Sequence, residues 1–211
     1  MRPYREIAAG APSAAAVLLV TWGLAARPAA APLALHVVPD SSRVRYHISH
    51  TLSDVTDLAG TPSGEAEVEG EGDSLGLTGR VQVDLRALRT GIGRRDRHVK
   101  SEDCLDVERY PACEFVLQGV AADTSAAAAA DAASPRHWSG RGRGTLSLHG
   151  VERELEVPMH LWWLDVPGQG GIRLRGDFTI QLADFGIKRP KKLMLAAGKS
   201  VDVHLDLVFA P

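Results

Sequence analysis

Any chemistry in this chain has to come from few groups. The two cysteines, Cys104 and Cys113, stand nine residues apart, which excludes a multi-cysteine metal centre and a disulfide-dense scaffold. In an oxidising compartment such a pair can close a small loop; equally, both can serve as buried small apolar groups. Spacing alone does not bring their Cα atoms within bonding range. His47, His50, His98, His149 and His160 are scattered over segments with differing facings, so a metal site would require a coincidence of tertiary geometry. No nucleophile, base and orienting acid recur at a spacing that builds a catalytic centre. Asp184-Phe185-Gly186 echoes a kinase triplet, but the glycine-rich loop, strand lysine and HRD segment which that chemistry requires are missing. The run Gly140-Arg141-Gly142-Arg143-Gly144 is too short, and too close to a strand start, to bind RNA. Two basic groups stand out instead: Arg94, Arg95, Arg97 and Lys100, then Lys188, Arg189, Lys191 and Lys192. Such clusters suit an anionic partner, or simply keep a loop soluble.

The elements that position these groups are read from alternation. The chain has 211 residues, 45% hydrophobic and 24% charged, an ordinary globular composition. Its 24 Lys plus Arg against 26 Asp plus Glu give a net −2, so there is no overall basic field to gather nucleic acid. Val44, Tyr46, Ile48, His50 and Leu52 alternate with Arg43, Arg45, His47 and Ser49, a period of two that puts every second side chain on one face of a strand. The same spacing runs through Val81–Leu85, Cys113–Leu117, Leu155–Trp163, Ile172–Leu182 and Val201–Phe209. With segments near 64–71 and 142–149 the count is about eight strands. Eight antiparallel strands close into a barrel just wide enough to fill with side chains or hold one ligand, as in lipocalin-type proteins. A two-sheet sandwich uses the same alternation.

Three stretches fall outside the meander. Arg2 and Arg5 precede the apolar run Ala14–Ala26, with Arg27 and an Ala/Pro-rich piece after it; residues 1–31 read as a secretory signal and leader. The run is shorter than the roughly 20 residues of a spanning helix; a retained N-terminal anchor is the alternative. The leader holds three of the basic residues and one acidic one, so the remainder carries −4. The piece from Thr90 to Pro111 is too long for a hairpin turn and predicts a short surface helix starting near Arg95. Residues 121–141 form an Ala-rich insertion loop, with helix propensity but no amphipathic stripe.

The residues around the first loop resemble a known family. Thr90, then Arg95-Asp96-Arg97-His98, then Ser101-Glu102-Asp103-Cys104-Leu105-Asp106-Val107-Glu108-Arg109-Tyr110-Pro111 and Phe115 resemble the YceI-like, polyisoprenoid-binding periplasmic proteins. Ser42-Arg43-Val44 with Tyr46 and His50, Gly144–Val151, and Asp184-Phe185-Gly186-Ile187 follow in order, so the likeness covers roughly residues 35–211 as one domain. It implies an all-β fold, an extended antiparallel eight-stranded lipocalin-like barrel with a short helix in one loop. It also implies a non-catalytic periplasmic protein holding a long-chain isoprenoid or similar lipid, with no other cofactor. This chain departs from the pattern at Cys104, where an aromatic is usual, at Cys113, where an aliphatic is usual, and in the insertion.

On that basis the ligand-lining candidates are Tyr46, Ile48, His50, Val83, Leu85, Phe115, Leu117, Leu148, Met159, Trp163, Phe178 and Phe185, with Arg95, Asp96 and His98 from the motif. Two of these have a purely local reading as well: Asp96 caps the short helix and His98 bonds a nearby carbonyl. In an up-and-down barrel the loops alternate between ends, so 53–63, 89–111 and 184–199 share one rim and the insertion lies at the other. The basic clusters then gather on the first rim, facing an anionic head group or an anionic membrane surface. A homodimer is compatible with the pattern and not specified by it. Two other classes remain open: a small barrel enzyme of isomerase or cyclase type acting on a lipid-like substrate, and a haem- or tetrapyrrole-binding barrel using one histidine.

Overall fold

The structure, a computed structural model, describes residues 32–48, 56–69, 76–122, 136–166, 169–188 and 198–211. Its strands are β1 (Leu33–Val37), β2 (Arg43–Ile48), β3 (Thr56–Gly60), β4 (Pro62–Glu69), β5 (Gly76–Asp84), β6 (Ala112–Ala122), β7 (His137–Leu148), β8 (Val151–Val166), β9 (Gln169–Gln181) and β10 (Ser200–Ala210). One helix, α1 (Gly93–Lys100), lies between β5 and β6. The pairing order is β1-β4-β5-β6-β7-β8-β9-β10, and β10 returns to β1, so the sheet closes on itself. Every pair is antiparallel.

Ten segments make eight staves. β10 pairs with β1 through Phe209 and Ala210, and with β2 from Asp202 to Asp206. On the other side β1 pairs with β4 and β2 with β3. β1 and β2 are therefore one stave interrupted by the 3-10 turn Pro39–Ser41, and β3 with β4 is its partner. Ser42 pins the interruption: its hydroxyl accepts from Val208 N at 2.9 Å and donates to Val208 O at 3.3 Å. The eight-stranded barrel that the alternation predicts is the observed fold; closure rules out the sandwich, and it removes open edges that would otherwise template aggregation.

The inward face follows the period of two. Along β7 the inward positions are Trp138, Gly140, Gly142, Gly144, Leu146 and Leu148, all buried. Along β8 they include Val157, Met159 and Leu161, and along β10 Val201, Val203, Leu207 and Phe209. The turn His149-Gly150 joins β7 to β8 with φ of 53° and 73°, the geometry of a two-residue type I′ hairpin. Strand boundaries refine the sequence reading at the insertion. Ala121–Ala122 end β6 and residues 137–141 begin β7, so these seven positions of the predicted 121–141 loop are strand. Residues 123–135, the leader 1–31, His50, Arg189, Lys191 and Lys192 lie outside the described residues.

Between β5 and β6 the chain leaves the barrel at Leu85 and re-enters at Pro111, where Leu85 N donates to Pro111 O at 2.8 Å. The excursion carries α1 across one end of the barrel. The Asp96 carboxylate accepts from Thr90 N at 2.7 Å and from Thr90 Oγ1 at 2.5 Å, tying the first turn of α1 to the preceding loop. The Tyr110 ring packs on Gly150 and lies 4.7 Å from the His149 ring, and His149 Nδ1 lies 3.1 Å from Phe185 O. Three loops that share this end are thus cross-linked by side chains.

Candidate ligand-binding cavity

Under α1 the barrel is hollow. A cavity of about 710 Å³ runs down its interior, within the ~300–1,000 Å³ typical of small-ligand sites. Its wall is apolar: Val44, Tyr46 and Ile48 from β2, Val81 and Val83 from β5, Phe115 and Leu117 from β6, Phe178 and Ile180 from β9, and Val201 to Phe209 from β10. The cover adds Leu88, Ile92, Val99 and Leu105. Space exists here because the wall alternates small with large. Gly144 faces the Phe115 ring, and Gly142 lies under the Met159 thioether, so bulky side chains lie flat against a glycine wall.

Polar groups gather at the cover. Arg94, Arg95 and His98 of α1 reach the cavity, and Glu65 and Thr78 contribute on one side wall. His98 Nε2 is buried and has no hydrogen-bond partner, a costly state for a polar atom unless something else supplies the partner. Tyr46, deeper in the wall, has its phenol pushed well above the ordinary range by burial, with the Cys113 thiol adding to the effect. Burial pushes the Cys104 thiol up to about 11 and the Cys113 thiol up to about 12, with Asp103 and Glu114 respectively reinforcing the shift. Both cysteines line the cavity. At neutral pH burial keeps both thiols protonated, which lowers their nucleophilicity.

A YceI-like domain model matches residues 35–209. The chain belongs to the YceI-like family. Among curated relatives, it is 32% identical over 134 residues to a UPF0312 protein of Pseudomonas syringae pv. tomato, covering 62% of this chain and 60% of the relative. A UPF0312 protein of Shewanella denitrificans is 30% identical over 134 residues, covering 62% and 61%. The matched region thus spans about 60% of those relatives' length. Among solved structures, a polyisoprenoid binding domain from Saccharophagus degradans superposes with a TM-score of 0.64 at 18% identity, covering 84% of this chain and 98% of that one. Burkholderia cenocepacia BcnA superposes at 0.59, also at 18% identity, covering 82% and 98%. At that identity the likeness concerns the fold, which is the YceI-type barrel.

This YceI-like barrel brings most of the sequence candidates together. Tyr46, Ile48, Val83, Leu85, Phe115, Leu117, Leu148, Met159, Phe178, Arg94, Arg95 and His98 all line the one cavity. Others are placed elsewhere. Asp96 is turned away from the cavity and holds Thr90 instead of capping α1, whose N-cap residue, Ile92, has no side-chain cap hydrogen bond. Phe185 is buried in a 3-10 turn behind the wall, where it closes the rim. Trp163 packs on Gly170 and under Arg136 at the far end, because its position on β8 lies beyond the cavity floor. Among the described rim charges, Arg97 is exposed outside the cavity, Lys188 is exposed, and Lys100 donates to Arg86 O at 2.6 Å. Cys104 and Cys113 are free thiols, not the disulfide that an oxidising compartment permits.

Sequence reasoning missed Leu88, Ile92, Val99, Leu105 and Leu205 as wall residues. The signal for the first four was present: they are the apolar residues of an otherwise charged loop segment, spaced to turn inward once that segment covers a hollow. It weighed Gly140-Arg141-Gly142-Arg143-Gly144 only as an RNA-binding run. Inward glycines alternating with outward arginines leave room in the lumen and keep the outside wet.

Proposed function

We propose that this protein is a non-catalytic carrier that holds a long-chain isoprenoid or similar amphiphilic lipid inside the barrel, with its polar end under α1. The carrying observation is the cavity itself: a largely apolar interior of about 710 Å³ whose basic groups and unpartnered His98 Nε2 gather at the covered end. A single long chain matches that polarity gradient, since each buried methylene contributes roughly 0.8 kcal/mol. Further support comes from the family match and from the Saccharophagus degradans neighbour, a polyisoprenoid binding domain. The basic start and apolar run of residues 1–31 support export to the periplasm as part of the same reading. No cofactor beyond the lipid enters the proposal.

Displacement of a fluorescent polyene fatty acid by prenyl alcohols tests it. Wild type is expected to bind the probe and release it to the competitor. Leu205→Trp, which fills the cavity, is expected to lose at least about tenfold in affinity while keeping its circular dichroism. A Soret absorbance band in the purified protein, or turnover of the extracted lipid, would instead favour a tetrapyrrole barrel or an enzyme.

A further inference from the structure

The outer wall carries a histidine pair that the cavity does not use. Along β7, His137, Ser139 and Arg141 point outward between the buried Trp138, Gly140 and Gly142, and along β8, Pro158, His160 and Trp162 point outward between the buried Val157, Met159 and Leu161. In the β7–β8 register His137 stands opposite Trp162, and Ser139 opposite His160. The two histidines are therefore diagonal neighbours, a separation that long and aromatic side chains bridge. Strand pairing thus gives His160 a partner 23 residues away. Neither ring lines the cavity. Other parts of this wall carry ion pairs, Arg143–Glu156 and Arg173–Asp206 among them; here it presents two imidazoles and an indole.

His137 Nε2 lies 3.3 Å from His160 Nδ1. The ring centroids are 5.4 Å apart and the planes 9° from parallel. That separation is nearly the nitrogen gap plus the two ring radii, so the rings meet edge to edge, nitrogen toward nitrogen. A neutral imidazole carries one proton, on either nitrogen. With His137 protonated at Nδ1 and His160 at Nε2, two lone pairs face one gap. At the ~2.0–2.1 Å of a zinc–imidazole bond, nitrogens 3.3 Å apart subtend roughly 104–111° at the metal, which brackets the tetrahedral angle. Seating an ion beside the nitrogen–nitrogen line requires each ring to swing about χ2, a broad torsion in histidine. The Trp162 ring lies 4.8 Å from the His137 ring and 5.9 Å from the His160 ring, backing the pair.

The surroundings suit a neutral ligand pair. Burial, with the charge of His160, holds the His137 ring below its ordinary pKa, so it is an unprotonated ligand at neutral pH. Arg175 stands opposite His160 and Arg173 opposite Trp162 in the β8–β9 register; both oppose a cation, and both are engaged by Asp206. Among the described residues no group of three or more histidine, cysteine or carboxylate side chains comes together to hold a metal ion. The remaining coordination positions are left to water or an outside ligand, which makes the arrangement open where structural zinc sites are closed.

We propose that His137 Nε2 and His160 Nδ1 form an exchangeable surface site for a tetrahedral divalent ion of the Zn²⁺ type, on the outer wall and separate from the lipid cavity.

Competition for Zn²⁺ against a weak chromophoric chelator, on the untagged full chain, tests it. Wild type is expected to take up one Zn²⁺ per chain, and excess Mg²⁺, which prefers oxygen ligands, is expected not to displace it. His137→Gln and His160→Gln are each expected to weaken uptake at least about tenfold, because each arm of a chelate raises the effective concentration of the other. The double variant should lose little more than either single one. His36→Gln, at an exposed histidine of β1, should bind as wild type does. The proposal is overturned by a wild type that takes up no Zn²⁺, by unchanged affinity in either variant that keeps the wild-type circular dichroism, by losses that add in the double variant, or by an equal loss in His36→Gln.

Discussion

The two ends of the barrel are closed by opposite means. At the α1 end the closure is a long excursion of the chain, held by directional contacts: Asp96 to Thr90, Leu85 to Pro111, and the Tyr110–His149–Phe185 link. It carries the cavity's basic groups and the half-exposed Ile92. At the other end closure is by the strands themselves, which project Trp138, Leu161 and Ile172 across the lumen. Hydrogen-bonded loops open at low free-energy cost, whereas a close-packed plug opens only with the core. The difference gives the barrel a direction: on the carrier reading proposed above, a ligand would come and go under α1, and the strand-closed end would be the wall.

Substitutions at the two ends should therefore separate stability from access. Trp138→Ala, in the plug, is expected to cost about 3–5 kcal/mol in urea unfolding, while Ile92→Ser at the mouth should stay within about 0.5 kcal/mol. Equal costs would erase the contrast. A thiol titration sharpens the view of the interior. Unreduced protein should show two free thiols that react at pH 8 more slowly than an exposed thiol, Cys104 by roughly two and Cys113 by roughly three orders of magnitude. Ligand should slow them further, and a missing thiol would restore the disulfide.

At the mouth, the hydrogen bonds from Thr90 hold the Asp96 carboxyl below its ordinary range. A lowered pKa means that this contribution is complete above the ordinary carboxylate range and is lost as pH falls through the lowered value. Hydrogen exchange of the α1 amides, taken relative to their intrinsic rates at each pH, should thus rise in acid and be flatter with pH in Asp96→Asn, while the same ratio in the plug strands stays level. The smallest effect belongs to the outer wall. Arg173 donates to Asp206 at 2.7 Å and 2.6 Å, Arg175 joins at 3.2 Å, and the pairs hold the Asp206 carboxyl low. These side chains are partly exposed, so Arg173→Ala should cost no more than about 1 kcal/mol, and less in high salt, without changing ligand affinity.

Much of this was legible in the residues. Alternation along Val201–Phe209 and Leu155–Trp163 gave strands and facings, because a period of two carries both at once. The basic and apolar residues of the covering segment could be placed at one rim by counting turns. Depth could not be read. Trp163 and Met159 share one face of β8, but one packs at the far end and the other lines the cavity, and only closure and strand tilt decide which. Asp96 was ambiguous for another reason: its chemistry suits a head group or a loop tie equally, and the choice rests on Thr90 standing 2.7 Å away. The glycines of β7 were read as a local run, since their effect appears only across the barrel, at Met159 and Phe115.

The most direct test is native mass spectrometry of the full chain purified from its own host, followed by denaturation and lipid analysis. The account predicts one adduct per chain, released on unfolding as a long-chain amphiphile that fits a cavity of about 710 Å³. A protein that emerges without an adduct, and takes up no amphiphile when offered one, would contradict it.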